Sequence, residues 1–187
     1  PESFRHNNGA QGQKWFPETM SGGGAFLDID TDGDLDVLIP GGAKLIEDAS
    51  GMEGDLLVLL NDGSGAFSEA LIPGLDDLPG YAMGLYPADL DRDGDIDLVY
   101  TSLGPNLILE NTNGTFVATP LANGSNDWST AALIFDADGD GWLDILIGNY
   151  VDWSAEKDLF CSTDGSTKGY CTPELYEGVP ASFFRNR

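Results

Sequence analysis

One nine-residue pattern occurs three times in this chain and restricts its fold more than any other feature. It reads Asp28-Ile-Asp30-Thr-Asp32-Gly33-Asp34-Leu-Asp36, then Asp89-Leu-Asp91-Arg-Asp93-Gly94-Asp95-Ile-Asp97, then Asp136-Ala-Asp138-Gly-Asp140-Gly141-Trp142-Leu-Asp144. All three fit D-x-D-x-D-G-x-x-D. Each runs into a short apolar stretch, Val37–Ile39, Leu98–Tyr100 and Ile145–Ile147. The starts lie 61 and 47 residues apart (89 − 28 and 136 − 89). Periods of that size belong to repeated supersecondary units.

The pattern also accounts for the charge. Among 187 residues, 32 are acidic and 8 are Lys or Arg, a net charge of −24. Fourteen of the Asp residues sit in the three clusters; without them the balance is 18 against 8, or −10. A chain of this sign lacks the basic patch that a phosphate backbone or an anionic membrane surface requires, so neither nucleic acid nor membrane is expected as a partner. Hydrophobic residues at 41% and aromatics at 10% are enough for a packed core, which argues against disorder.

The spacing fits a hard divalent cation. Calcium takes 6–8 oxygens at about 2.3–2.6 Å. Asp at positions 1, 3 and 5 can turn three carboxylates inward, and Gly at position 6 permits the sharp turn. Position 7 can offer its carbonyl, which leaves its side chain free to be Asp34, Asp95 or Trp142; Asp at position 9 closes the cage. About three calcium ions would change the net charge to −18. An EF-hand shares positions 1 to 6 but needs Glu at position 12. Position 12 is here Ile39, Tyr100 or Ile147, inside strand-like runs. The competing reading is a solvated acidic turn, which three occurrences in register before strands disfavour.

A second element recurs downstream. Leu56–Leu60 leads into Asn61-Asp-Gly-Ser-Gly-Ala-Phe67, and Leu107–Leu109 leads towards Asn111-Thr-Asn-Gly-Thr-Phe116. Each reads as a strand, an Asn/Gly turn and a second strand, hence a β-hairpin. A repeat then holds four antiparallel strands, the content of one propeller blade. The fold class expected is all-β, with about three β-propeller-type blades in a single domain over residues 1–187. The repeats fall at roughly 20–75, 80–122 and 128–187, and 1–19 finishes a preceding blade. Ser3-Phe-Arg-His-Asn7 matches Ser182-Phe-Phe-Arg-Asn186, so the chain starts and stops at one phase of the repeat. Three blades do not close a ring of about 4–8. Either a longer chain or neighbouring copies complete it. Ala43–Ala49, the nearest approach to a helical pattern, lies in the extra length of the first repeat.

These residues resemble the FG-GAP/VCBS repeat family, which forms integrin-α-like β-propellers. The resemblance rests on Asp28–Asp36, Asp89–Asp97, Asp136–Asp144 and the two Asn/Gly hairpins, and it covers most of the chain. Asn149-Tyr-Val-Asp-Trp153 with Cys161 and Cys171 is also similar to the cartilage-acidic-protein-like branch. The resemblance implies calcium in a loop between a blade's first two strands. Its ligands would come from positions 1, 3, 5, 7 (carbonyl) and 9, and its role would be structural. It also implies an extracellular adhesion or scaffold module, with a protein or glycan partner.

The remaining inventory is small. Cys161 and Cys171 enclose a polar loop, and the expectation is a disulfide in an oxidising compartment. Asn113-Gly-Thr115 and Asn123-Gly-Ser125 match the glycosylation acceptor pattern, and Asn-Gly is equally a hairpin turn. Trp128, Trp142, Trp153, Tyr150 and Tyr176 could stack on sugars or pack between blades. With His6 as the single histidine, neither a zinc site nor a Ser-His-Asp arrangement is expected. No base stands apart from the metal cages, so the segment is expected not to be an enzyme. No apolar run approaches the roughly 20 residues that span a bilayer, and the first residues carry no basic-then-apolar leader pattern. Two other readings remain: a self-assembling, filament-forming subunit completed by neighbouring chains, and part of a polysaccharide-active enzyme.

Overall fold

The computed structural model describes residues 6–20, 22–43, 53–121 and 126–187. Three antiparallel sheets follow one another along the chain. The first is β1 (Ala25–Leu27), β2 (Asp36–Ala43), β3 (Glu53–Asn61) and β4 (Phe67–Ala70) in spatial order, with the short β5 (Leu78–Pro79) also on β3. The second is β6 (Tyr81–Ala88), β7 (Asp97–Leu103), β8 (Leu107–Thr112) and β9 (Thr115–Pro120). The third is β10 (Ser129–Phe135), β11 (Asp144–Asn149) and β12 (Ser182–Phe184). Among the described residues there is no α-helix, only three short 3₁₀ turns, so the class is all-β. Among the described residues the three sheets do not close into a ring. The stretch Ala43–Ala49 lies outside the described residues beyond Ala43.

Each Asp cluster is the connection of a hairpin between the first two strands of its sheet. Leu27 pairs with Asp36, Ala88 with Asp97 and Phe135 with Asp144, so position 9 of each pattern opens the second strand. The Asn/Gly turns close the later hairpins as expected, with Asn61 opposite Phe67 and Asn111 opposite Phe116. Asn113 (φ 51°) and Gly114 (φ 81°) are both left-handed, which is what a tight two-residue hairpin turn requires.

The sheets stack by a rule that alternation along a strand makes possible. Position 11 of one sheet packs on positions 10 and 12 of the next. Leu38 shares a core with Leu98 and Tyr100 of the second sheet. Val99 shares another with Ile145 and Ile147 of the third. The whole of β7 is therefore buried on both faces. On the outer faces of the stack the apolar residues have no such neighbour: Phe26 in the first sheet is 66% exposed, and Leu133 and Phe183 in the third are 63% and 47% exposed.

The third repeat departs from the expected four strands. Among the described residues it has three, because the chain makes an excursion over 150–181 between β11 and β12. Within that excursion Cys161 and Cys171 form a disulfide. Its start packs into an aromatic cluster with Trp15, Phe16, Tyr81 and Trp128, to which it contributes Val151 and Trp153. Phe16 stacks on Tyr176 at 5.3 Å and meets Trp128 edge-on at 5.3 Å. Trp128 and Trp153 are buried, so packing is their role. Of residues 1–19, expected to finish a preceding blade, 1–5 lie outside the described residues; among 6–19, Phe16–Thr19 is a 3₁₀ turn against this cluster.

Replacing Leu98, which is fully buried at the centre of the stack, is expected to cost about 2–5 kcal/mol as Leu98→Ala. Phe26→Ser on the open face should stay within about 0.5 kcal/mol. Urea denaturation of both variants measures the contrast.

Candidate metal centre

The loop backbone is shaped in the same way three times. Position 6 is left-handed in each loop, at φ 97° for Gly33, 98° for Gly94 and 88° for Gly141. Position 4 is left-handed too: Thr31 (φ 60°), Arg92 (φ 66°) and Gly139 (φ 77°). Only glycine takes that conformation without strain, so Thr31 and Arg92 are held there by the rest of the loop. The position 5 carboxylate accepts from the position 7 N–H every time: Asp32 from Asp34 at 2.9 Å, Asp93 from Asp95 at 2.8 Å, Asp140 from Trp142 at 2.8 Å.

Position 9 does more than close a cage. Asp36, Asp97 and Asp144 are almost completely buried, and both oxygens of each accept backbone N–H groups. Asp36 takes Ile29 and Asn61, each at 2.8 Å. Asp97 takes Leu90 at 2.9 Å and Asn111 at 2.8 Å. Asp144 takes Ala137 at 3.0 Å and Asn186 at 2.9 Å. One carboxylate thus ties position 2 of its loop to an Asn at or just beyond the end of the third strand. Burial pushes Asp97 above the ordinary carboxylate range, opposed by the N–H groups of Asn111 and Leu90.

Three groups of carboxylates converge closely enough to hold a metal ion: Asp28, Asp30 and Asp32; Asp89, Asp91 and Asp97; Asp136, Asp138 and Asp144. Within each group one oxygen per residue lies within 4.8 Å of the others. Oxygens that share a calcium ion at 2.3–2.6 Å are separated by no more than about 5 Å, so the spacing fits. The donor set is all carboxylate, which suits a hard cation. Asp36, Asp93 and Asp140 stand beside these groups, as position 9 of the first loop and position 5 of the other two.

The loops differ at position 1. Asp28 accepts from Asp32 and Gly33, and Asp136 from Gly139 and Gly141, so both carboxylates are bonded into their own loop. Asp89 is different: its Oδ1 is buried and has no hydrogen-bond partner among the described residues. An ionised oxygen shut away from water without a donor is costly. A cation between Asp89, Asp91 and Asp97 would satisfy it.

Position 7 side chains point away from these groups. Asp95 accepts from Asn113 N–H at 2.7 Å, in the turn of the β8–β9 hairpin. Trp142 lies under the Arg92 guanidinium, 4.2 Å from the ring centre, so position 4 of the second loop touches position 7 of the third. Arg185 also approaches the third loop, 3.4 Å from Asp138. Cys161 and Cys171 are bonded, as expected. Asn113 is exposed, and Asn123 lies outside the described residues.

A family model described as an FG-GAP-like repeat matches residues 45–100 and 89–147. These matches cover more than half of the chain, and the chain belongs to the FG-GAP-like repeat family. They take in the second and third Asp loops; the first lies before them. No curated protein sequence matches the chain.

Asp97→Asn would set an NH₂ group against a backbone N–H in a buried site. The expected loss is about 1–3 kcal/mol. Thermal unfolding in the presence of EDTA should show it, because the clasp does not depend on an ion.

Proposed function

We propose that the chain is a calcium-stabilised extracellular module of β-propeller-type blades that serves adhesion or scaffolding, with calcium structural rather than catalytic. The observation that carries this reading is the orphaned, buried Asp89 Oδ1 beside Asp91 and Asp97. The same oxygen-only arrangement recurs at the other two loops. Asp28, Asp30, Asp32 and Asp36 would serve the first ion, Asp89, Asp91, Asp93 and Asp97 the second, and Asp136, Asp138, Asp140 and Asp144 the third. The carbonyls of Asp34, Asp95 and Trp142 would complete each set. Bound cations would offset the mutual repulsion of clustered carboxylates and fix each first hairpin. Membership of the FG-GAP-like repeat family and the disulfide support an oxidising, extracellular setting. No helix among the described residues is long and apolar enough to cross a membrane.

In this reading residues 1–187 form one unit with blades at about 20–75, 80–122 and 128–187. The partner is an extracellular protein or glycan. A second reading, assembly with neighbouring copies, is favoured by the open faces bearing Phe26 and Leu133. Position 11 of the third sheet and positions 10 and 12 of the first are the two halves of the internal stacking rule.

Calcium at millimolar concentration should raise the melting temperature and EDTA should reverse the rise, as for any ligand that binds only the folded state. Elemental analysis should find about three ions per chain. An unchanged melting temperature together with metal-free protein would exclude the calcium reading. Sedimentation velocity separates a monomeric module from an assembling one.

A further inference from the structure

The aromatic cluster around Trp15 holds two parts of the chain together at the end of the sheets away from the Asp loops. It gathers Tyr81, where β6 begins, Leu103, where β7 ends, and Val151 and Trp153, just past β11. The Asp loops join the other ends of these strands. Residues 14–18 are fixed to the 150–181 excursion by more than packing. Tyr170 donates its hydroxyl to Glu18 Oε2 at 2.7 Å, Glu18 Oε1 accepts the Trp15 backbone N–H at 3.2 Å, and the Lys14 ammonium stands 4.9 Å from the centre of the Tyr170 ring. Lys14 is itself left-handed, at φ 57°, a backbone strain that persists only where surrounding contacts impose it.

A cavity of about 460 Å³ lies between these two parts, lined by Gln13, Trp15, Ala155, Glu156 and Lys168. Both walls are internal to the chain, and neither is a sheet edge or an outer face of the stack. The polar groups of the lining have unused capacity. Trp15 is nine-tenths buried, yet its indole N–H has no acceptor among the described residues. The Gln13 amide and the Glu156 carboxylate have no partner there either. Lys168 gives one N–H to Asp158, whose other oxygen accepts from Trp153 Nε1, and keeps the rest.

We propose that this cavity binds a neutral saccharide. Its volume falls in the range of about 300–1,000 Å³ that small-molecule sites occupy. Donors and acceptors stand beside an aromatic ring, the set a pyranose requires, since each hydroxyl both donates and accepts while the C–H faces are apolar. One carboxylate and one ammonium in the same cavity leave no net charge to select an ion. The field of a chain at −24 disfavours anionic sugars. The inference rests on the extracellular binding module proposed above and names its ligand class.

The test is saturation-transfer NMR on the full chain in calcium buffer. The probes are cellobiose, lactose, maltose and N,N′-diacetylchitobiose, with N-acetylneuraminic acid and glycine as charged controls. Transfer to at least one of the four neutral disaccharides is expected, and none to the controls. Gln13→Ala and Glu156→Ala alter exposed side chains without partners, so each should weaken that binding about fivefold or more and leave the melting temperature unchanged. No transfer to any of the four at about 10 mM would overturn the proposal. So would undiminished binding by both variants, or binding of the controls alone. Melting with and without calcium is the separate readout of the module reading. A calcium-dependent rise with no saccharide bound removes this proposal alone, and saccharide binding without such a rise removes the calcium reading alone.

Discussion

The buried carboxylate at position 9 is the interaction on which the rest depends. A charge without water is tolerated only when donors replace the lost solvation, and Asp36, Asp97 and Asp144 each find two backbone N–H groups. One donor comes from the loop and the other from the far end of the third strand. The clasp therefore joins three strands of a sheet through a single side chain. It sets the loop's position relative to the hairpin turn that begins at Asn61 or Asn111. It also explains why Asn recurs there: the Nδ2 groups of Asn61 and Asn111 donate back to the carbonyls of Leu35 and Ile96, beside the Asp they serve.

Once each sheet is clasped, stacking follows from strand alternation. The Asp that opens the second strand points inward at position 9, so positions 10 and 12 face one way and position 11 the other. The same phase in all three sheets makes every face of one kind meet a face of the other kind. The order is directional, which is why the outer faces of the stack are unlike each other. One presents Phe26 and Val37, and the other the cross-strand row Leu133, Leu146 and Phe183.

Much of this was legible in the sequence, because the signals were local. The Asp pattern, the runs after it and the Asn/Gly turns each depend on residues close together in the chain, and the hairpins lie where they were expected. Three features were not legible. The dual role of Asp97 needs Asn111, fourteen residues on, and nothing in D-x-D-x-D-G-x-x-D distinguishes a ligand from a clasp. The signal that could have shown it was the Asn that recurs at or just beyond the end of each third strand. The 150–181 excursion was read as part of a four-strand blade over 128–187, with only the stretch between Cys161 and Cys171 taken as a polar loop, because its apolar residues follow no period. They are gathered by contact with Trp15 and Phe16, more than a hundred residues away, and by the disulfide. Left-handed Thr31 and Arg92 were equally hidden, since neither residue type favours that conformation.

The three loops share a pattern but not an energetic situation. At Asp28 and Asp136 a cation must compete with N–H groups that already hold the carboxylate in the loop. At Asp89 there is a buried oxygen with no such donor, so binding relieves a cost instead of exchanging one bond for another. The third loop carries a further difference, since Arg185 lies near Asp138 and Arg92 covers Trp142. Its positive neighbours oppose a divalent ion, while the Trp142–Arg92 contact steadies the backbone that would offer the position 7 carbonyl. Were cations to bind, the second loop would have the strongest reason to take one up first. Arg92 links the second loop to the third through its contact with Trp142.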